Sequence, residues 1–313
     1  MYMSRELCAA ASASEAVIMR DASSAYLAGG TELLRSGTER SADRLIMLKN
    51  IPELKGVSGE TPEAVRIGSM TTFQEALGSD LVPAYLKEAL RYMASRTKRD
   101  MATIGGNVAL MRDDSYLAAT LIAAHAKLEL LHWAKPDSGE SVQDRFGCPD
   151  KNGSDLEEAS QVRGDQPVRE AICIRRYLQH REEYQKDLIT AIMVRTDICV
   201  VSKRYANTAE SHSYLTAAMG YADGRFRVGV SLKNAGVFFP KEFSDSLGED
   251  ENAETFARFA NSWAGLDIPD DLYGSTAYKR YLLGVTLENL YRSLKERISS
   301  GQRTDGRKGE TEA

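Results

Sequence analysis

Apolar positions along the chain alternate between short continuous runs and stripes at helical spacing, the pattern of a mixed α/β protein. Residues 14–20 predict a short helix, with Ala16, Val17 and Met19 as contacts and Ser14 as cap. Ala25-Tyr26-Leu27-Ala28 predicts a strand running into Gly29-Gly30-Thr31, and Glu32-Leu33-Leu34-Arg35 a helical turn beyond it. A second strand is expected over 44–49 and a short helix opening at Pro52. A strand over 64–68 begins the next lobe, followed by a helix whose Thr72 and Glu75 have capping-box spacing. After Pro83, Tyr85, Leu86, Ala89, Leu90 and Met93 recur at helical spacing, most of them as core. An apolar helix over 115–126 and strands over 127–132 and 188–194 complete this part, with order resuming at 172–178 before the last strand.

Between about 133 and 168 the chain turns rich in Asp, Glu, Ser and Gly, too poor in aliphatics to offset ordering, and reads as a polar surface insertion. From 198 the pattern changes again. Strands over 198–205, 213–221 and 225–232 are expected, the last two joined as a hairpin by Ala222-Asp223-Gly224. Helices follow over 251–266 and 275–298. Tyr278, Tyr281, Leu282, Val285, Leu287, Leu290, Tyr291 and Leu294 form a core-facing stripe on the second. Residues 300–313 read as a disordered tail. There is no internal repeat.

A length of 313 residues suits two or three domains, and 42% hydrophobic with 27% charged residues is an ordinary soluble balance. A net charge of −5 argues against a nucleic-acid partner. No apolar run approaches membrane-spanning length and no signal-peptide order opens the chain, so a cytoplasmic protein is expected. Cys8, Cys148, Cys173 and Cys199 are scattered, without metal-site spacing, and read as free thiols. His125, His132, His180 and His212 are likewise scattered and read as structural or surface residues.

The chemistry concentrates in two glycine loops. Thr103-Ile104-Gly105-Gly106-Asn107 offers backbone N–H groups without the Cβ that would block approach to phosphate oxygens, although such dipeptides also mark plain turns. Ala28-Gly29-Gly30-Thr31-Glu32-Leu33-Leu34 is a second loop of the same kind, placed to present its amides at a helical turn. Arg96, Lys98 and Arg99 lie just before the 103–107 loop, as either a solvated basic turn or a phosphate-facing one.

These segments resemble a family. Ala28-Gly29-Gly30-Thr31-Glu32-Leu33-Leu34 is similar to its A-G-G-T-[DE]-L-[LI] loop, and Arg99-Asp100-Met101-Ala102-Thr103-Ile104-Gly105-Gly106-Asn107 to R-N-x-A-T-I-G-G-N. Ile67-Gly68-Ser69-Met70-Thr71-Thr72 resembles I-G-A-x-T-T, and Ala277-Tyr278-Lys279-Arg280-Tyr281-Leu282 resembles S-x-x-Y-R/K-R. Four segments in order point to the FAD-binding medium subunit of the molybdenum hydroxylases, as in xanthine dehydrogenase and carbon monoxide dehydrogenase.

The resemblance implies an α+β fold. A two-lobed FAD-binding domain of the vanillyl-alcohol-oxidase (PCMH) type spans 1–197, with lobes about 1–55 and 56–197. A C-terminal domain of the carbon monoxide dehydrogenase flavoprotein type spans 198–299. FAD would lie between the lobes against Tyr26, Leu27, Ala28, Gly29, Gly30, Thr31, Glu32 and Leu33, then Thr103, Ile104, Gly105, Gly106 and Asn107, with Met93, Ile189 and Lys203 as further contacts; Arg204 competes for the last place. The family follows T-I-G-G-N with S-P-x-x-D, whereas this chain reads Leu110-Met111-Arg112-Asp113-Asp114-Ser115-Tyr116, with Tyr116 at the Asp position. Asp113 or Asp114 could substitute from a shifted turn, or Tyr116 could stack or hydrogen-bond. Asp100 replaces the usual Asn. A relative, 4-hydroxybenzoyl-CoA reductase, carries an iron–sulfur cluster on an inserted loop, but Cys148 alone in the 133–168 stretch predicts none here.

The implied role is electron transfer from a [2Fe–2S] small subunit, beside a molybdopterin large subunit, through FAD to an acceptor such as NAD. The alternatives are a flavin-poor subunit serving assembly and a self-sufficient flavin oxidase.

Overall fold

A computed structural model describes residues 6–36, 42–133, 166–208, 211–248, 251–263 and 267–300. Three sheets organise the chain. Strands β1 (Glu6–Ala9), β2 (Ser24–Leu27) and β3 (Arg44–Met47) form a parallel sheet in the order β1-β3-β2. Parallel strands need a crossover, and helix α1 (Ala13–Ile18) supplies the one between β1 and β2. Its cap is Ser12 rather than the expected Ser14: the Ser12 hydroxyl accepts the Glu15 N–H. Ala13, Ala16, Val17, Ile46 and Leu48 pack against Leu131 and Leu188 of the next sheet, fixing the first layer on the second.

The second sheet is antiparallel, in the order β4-β5-β8-β6-β7. Its strands are β4 (Val57–Thr61), β5 (Ala64–Gly68), β6 (Lys127–Trp133), β7 (Pro167–Cys173) and β8 (Leu188–Arg195). Helix α1 packs on β8, and so does α6 (Ile104–Leu110), so this central strand reads as a continuous apolar run rather than an alternation. Helix α2 (Leu33–Ser36) follows β2, and between β5 and β6 lie α3 (Phe73–Gly78), α4 (Ala84–Arg91), α5 (Arg96–Arg99), α6 and α7 (Tyr116–Ala123). The Thr72–Glu75 capping box at α3 forms as the spacing predicts.

The third sheet is a meander of β9 (Cys199–Tyr205), β10 (Leu215–Ala222), β11 (Arg225–Leu232) and β12 (Gly236–Phe238), in the order β12-β11-β10-β9. Asp223 and Gly224 take φ of 54° and 72°, the mirror-image turn that suits a two-residue hairpin. Helix α7 is buried along its whole length, because β10 and β11 lie against it as closely as backbone allows. A Cβ on Gly220 would stand 2.1 Å from the Ala123 carbonyl oxygen, and one on Gly229 would stand 2.4 Å from that of Ala119. The other side of this sheet carries α9 (Lys241–Ser246), α10 (Ala253–Ser262) and α11 (Thr276–Ser299) over a core that includes Phe256, Leu283, Leu287 and Leu294.

Several expectations change. The segment 172–178 is the end of β7 and then α8 (Ile174–Gln179), and β7 begins at Pro167, inside the stretch expected to be insertion. Strands β1, β4 and β12 and helix α9 are three to six residues long, too short to show a periodicity in sequence. On α11 Leu287, Leu290, Tyr291 and Leu294 of the expected stripe are buried, but at its start Tyr278 and Tyr281 are exposed, whereas Leu283 and Lys279 are buried. The Lys279 ammonium is matched by Asp271 at 2.6 Å and the Pro269 carbonyl at 2.7 Å, so a charge occupies a position that spacing alone gives to apolar side chains. Residues 134–165 of the expected insertion, Cys148 among them, lie outside the described residues, as do 264–266 of the first C-terminal helix and 301–313 of the tail. No helix among the described residues is long and apolar enough to cross a membrane.

Candidate functional site

A cleft of about 420 Å3 opens where the end of β2, the start of α6, the start of α7, β8 and β9 converge. Of the expected contacts, Tyr26, Ala28, Gly29, Gly30, Thr31, Glu32, Leu33, Met93, Thr103, Gly105, Gly106, Asn107, Tyr116 and Ile189 all line it. Leu27, Ile104 and Lys203 do not. Strand alternation turns Leu27 away from the side taken by Tyr26 and Ala28. Ile104 is fully buried in the core with Val108 and Leu117. Lys203 alternates with Arg204 on β9; its ammonium lies 6.0 Å from the Tyr205 ring, while Arg204 lines the cleft and donates to the Tyr92 carbonyl at 2.6 Å.

The two glycine loops meet directly. A Cβ on Gly29 would stand 1.9 Å from the Met101 carbonyl oxygen, and one on Gly105 would stand 2.4 Å from the Ser69 Cβ. Gly30 takes φ +70°, the left-handed region where glycine carries no penalty. Their amides differ in a way the sequence did not reveal. In the second loop Ile104 N–H donates to the Thr71 carbonyl, Gly105 N–H to the Ser69 carbonyl, Gly106 N–H to the Thr103 hydroxyl and Asn107 N–H to the Thr103 carbonyl. The bare amides expected there are therefore engaged, and these glycines serve close packing. In the first loop the N–H groups of Gly29, Gly30 and Thr31 have no hydrogen bond to any described residue.

Charge gathers at one side of the cleft. Arg112 donates two bonds of 2.8 Å to Asp114 and one of 3.0 Å to Glu32, tying the turn after α6 to the first glycine loop. His212 stands 3.7 Å and Lys233 3.9 Å from the Asp114 carboxylate. Burial would raise the Asp114 pKa, but the Arg112 hydrogen bonds and the surrounding cations outweigh it and hold it below the ordinary value. Burial also lowers the His212 pKa, more than Asp114 raises it, so the ring is neutral near pH 7. Asp113 takes another part: its carboxylate accepts the Asn234 N–H and its carbonyl the Ser231 hydroxyl, fastening β11 to the turn.

Tyr116 is buried at the head of α7 with its hydroxyl 2.9 Å from the Ser202 hydroxyl; burial pushes its pKa up to about 12, so the phenol keeps its proton at neutral pH. The Asn107 side-chain oxygen accepts from the Ser115 hydroxyl at 2.9 Å. Of the basic cluster, Lys98 alone lines the cleft; Arg99 donates to the Arg91 and Ala94 carbonyls and holds the turn before α5. Arg112, Asp114, Arg204, His212 and Ser69 were not singled out as primary contacts, since none belongs to a glycine loop. The run Arg112-Asp113-Asp114 and the Arg204 alternative were the available signals. Among the described residues no cluster of His, Cys, Asp and Glu is arranged to hold a metal ion.

Residues 3–142 match the family described as FAD binding domain in molybdopterin dehydrogenase. Over 270 residues the chain is 28% identical to the uncharacterized protein YgfM of Escherichia coli K12, a span of 85% of this chain and 86% of that one. A chain of the carbon monoxide dehydrogenase of Hydrogenophaga pseudoflava, in a form lacking the Mo-pyranopterin moiety of its cofactor, superposes with a TM-score of 0.71 at 20% identity, covering 95% of this chain and 99% of that chain. Quinoline 2-oxidoreductase of Pseudomonas putida 86 contains a chain matched with a TM-score of 0.69 at 16% identity, over 95% of this chain and 99% of that one. At these identities the structural matches establish the fold.

Proposed function

We propose, from the premise that residues 3–142 belong to the FAD binding domain family of molybdopterin dehydrogenases, that this chain is the FAD-binding electron-transfer subunit of a multisubunit molybdopterin-dependent dehydrogenase. The observation that carries the proposal is the convergence of both glycine loops on one cleft with three amides of Gly29, Gly30 and Thr31 unengaged among the described residues. Those donors suit the diphosphate of FAD, whose negatively charged non-bridging oxygens need N–H partners rather than carboxylates. The buried Ser69 hydroxyl, also without a partner, lines the same cleft. When bound, FAD supplies the redox chemistry; the chain's own residues hold and orient it. Thr103, Gly105, Gly106 and Asn107 shape the floor, Met93 and Ile189 give apolar wall, and the Tyr116 phenol closes the cleft as a neutral group.

The finer reading is a xanthine dehydrogenase-like complex in the cytoplasm. A small [2Fe–2S] subunit donates electrons, a molybdopterin large subunit carries out the substrate chemistry, and NAD is the acceptor. The FAD-binding unit is residues 1–197 and the C-terminal unit 198–299. A flavin-poor assembly subunit is the competing reading, favoured by Tyr116 standing in place of the family's Asp with its hydroxyl engaged by Ser202. Absorbance of the purified protein separates the two: the proposal expects about one FAD per chain, and a folded but colourless preparation supports the competing reading. Copurification of both partner subunits, and reduction of NAD by the complex, test the finer statements.

A further inference from the structure

The cleft contains a feature that neither glycine loop accounts for. Ser69, on the link after β5, is 5% exposed, and its hydroxyl has no hydrogen-bond partner. Burying an unpaired hydroxyl is unfavourable, so such an atom calls for an explanation. Two other buried side-chain polar atoms share this condition among the described residues, Arg20 Nε and Thr216 Oγ1, and neither residue lines the cleft. The Ser69 backbone is fixed on both sides: its N–H donates to the Thr190 carbonyl and its carbonyl accepts the Gly105 N–H. Gly105 has no room for a side chain against the Ser69 Cβ, and Gly106 lies against Ala28 at 3.6 Å from its own Cβ position. Ser69 therefore stands on the cleft floor where the two loops meet.

We propose that the Ser69 hydroxyl is a further donor of the site, donating a hydrogen bond to a phosphate oxygen of the cofactor's diphosphate alongside the amides of Gly29, Gly30 and Thr31. This rests on the reading of the cleft as an FAD site. All four groups are donors, and the one nearby carboxylate of the first loop, Glu32, is held by Arg112 at 3.0 Å and does not compete for them. A hydroxyl on rigid backbone is already positioned, so little ordering entropy is lost when the acceptor arrives.

Ser69→Ala tests the proposal, because a structural and a binding role predict opposite signs. Deleting an orphan leaves the flavin-free protein equally or more heat-stable, while a lost hydrogen bond to a charged acceptor raises the FAD dissociation constant about ten- to a hundredfold. Titrations should use FAD and, separately, ADP, which keeps the diphosphate and lacks the flavin ring; both should weaken by a similar factor. Thr216→Val, which removes the same kind of orphan outside the cleft, should leave both constants unchanged. An unchanged FAD constant in Ser69→Ala overturns the proposal, as does weakened FAD with unchanged ADP, a matching effect from Thr216→Val, or a destabilised flavin-free protein. A parent protein that takes up no FAD overturns the FAD reading itself, and this proposal with it.

Discussion

Removing Arg112 should cost more stability than removing its acceptor Glu32, because it strands a buried charge. The Asp114 side chain is 1% exposed, and its two short hydrogen bonds both come from Arg112. With Arg112→Met the nearest basic side chains are His212, neutral near pH 7, at 3.7 Å and Lys233 at 3.9 Å, both beyond hydrogen-bond range. Breaking a fully buried pair costs about 3–5 kcal/mol. The Arg112 side chain is 32% exposed, so water replaces part of the interaction and about 2–3 kcal/mol is expected. Glu32→Gln keeps an acceptor for Arg112 and should cost less than about 1 kcal/mol. Combining Arg112→Met with Asp114→Asn should recover about 1–3 kcal/mol relative to the sum of the single changes, since the stranded charge is gone. Urea denaturation of the flavin-free protein at constant m-value measures each term. The pH dependence is fixed in sign. In the parent the Asp114 pKa is depressed, so its contribution is complete above the ordinary carboxylate value and lost as pH falls through the folded one. In the variant burial acts unopposed by Arg112 and raises that pKa, penalising folding at neutral pH but not in acid. The gap between parent and variant should therefore be widest near pH 7 and close toward pH 4. A gap that is flat across that range, or an Arg112→Met cost no larger than that of Glu32→Gln, would refute the account.

Two further substitution pairs isolate parts of the site. Gly29→Ala should destabilise by more than about 3 kcal/mol, or prevent soluble expression, because its Cβ meets backbone that cannot move aside, 1.9 Å from the Met101 oxygen. Gly78→Ala, with nothing within 4 Å, should gain up to about 1 kcal/mol in the same urea assay. Lys203→Ala should leave the FAD dissociation constant within about twofold, whereas Arg204→Ala should raise it several-fold by removing the cleft-lining guanidinium that holds the Tyr92 carbonyl. The reverse order in fluorescence titration would return the contact to Lys203.

The layers of the fold were legible where periodicity and turn chemistry agreed. The Asp223-Gly224 hairpin, the Thr72–Glu75 capping box and the apolar run of β8 each combine a local rule with a matching burial, and each forms as expected. Short strands at sheet edges were not legible: β4 is exposed at all but its first residue and so carries no apolar signature. Helix α11 misled for a different reason. Its stripe holds from Leu287 onward, but at its start Tyr278 and Tyr281 face outward while Lys279, neutralised by Asp271, takes the inward position. A buried ion pair cannot be read from one helix, because the partner lies on a separate loop.

The two glycine loops illustrate the same limit at the site. A missing Cβ serves two ends, approach of a ligand and approach of another backbone, and sequence does not distinguish them. Gly105 and Gly106 are glycine because α6 begins hard against Ser69 and Thr103, and their N–H groups are taken up by those neighbours. Gly29 is glycine because Met101 lies on it, yet its own N–H has no partner among the described residues. The motifs thus point to one cleft, but the two loops contribute to it in different ways. The second loop is the wedge that sets where the first loop sits, and the donors lie on the first loop. Arg112 adds the remaining constraint, since it joins Glu32 of the donor loop to Asp114 beside the wedge. In this arrangement the acid of the post-glycine turn, Asp114, acts on the first loop through an arginine, while Tyr116 stays a neutral phenol engaged by Ser202.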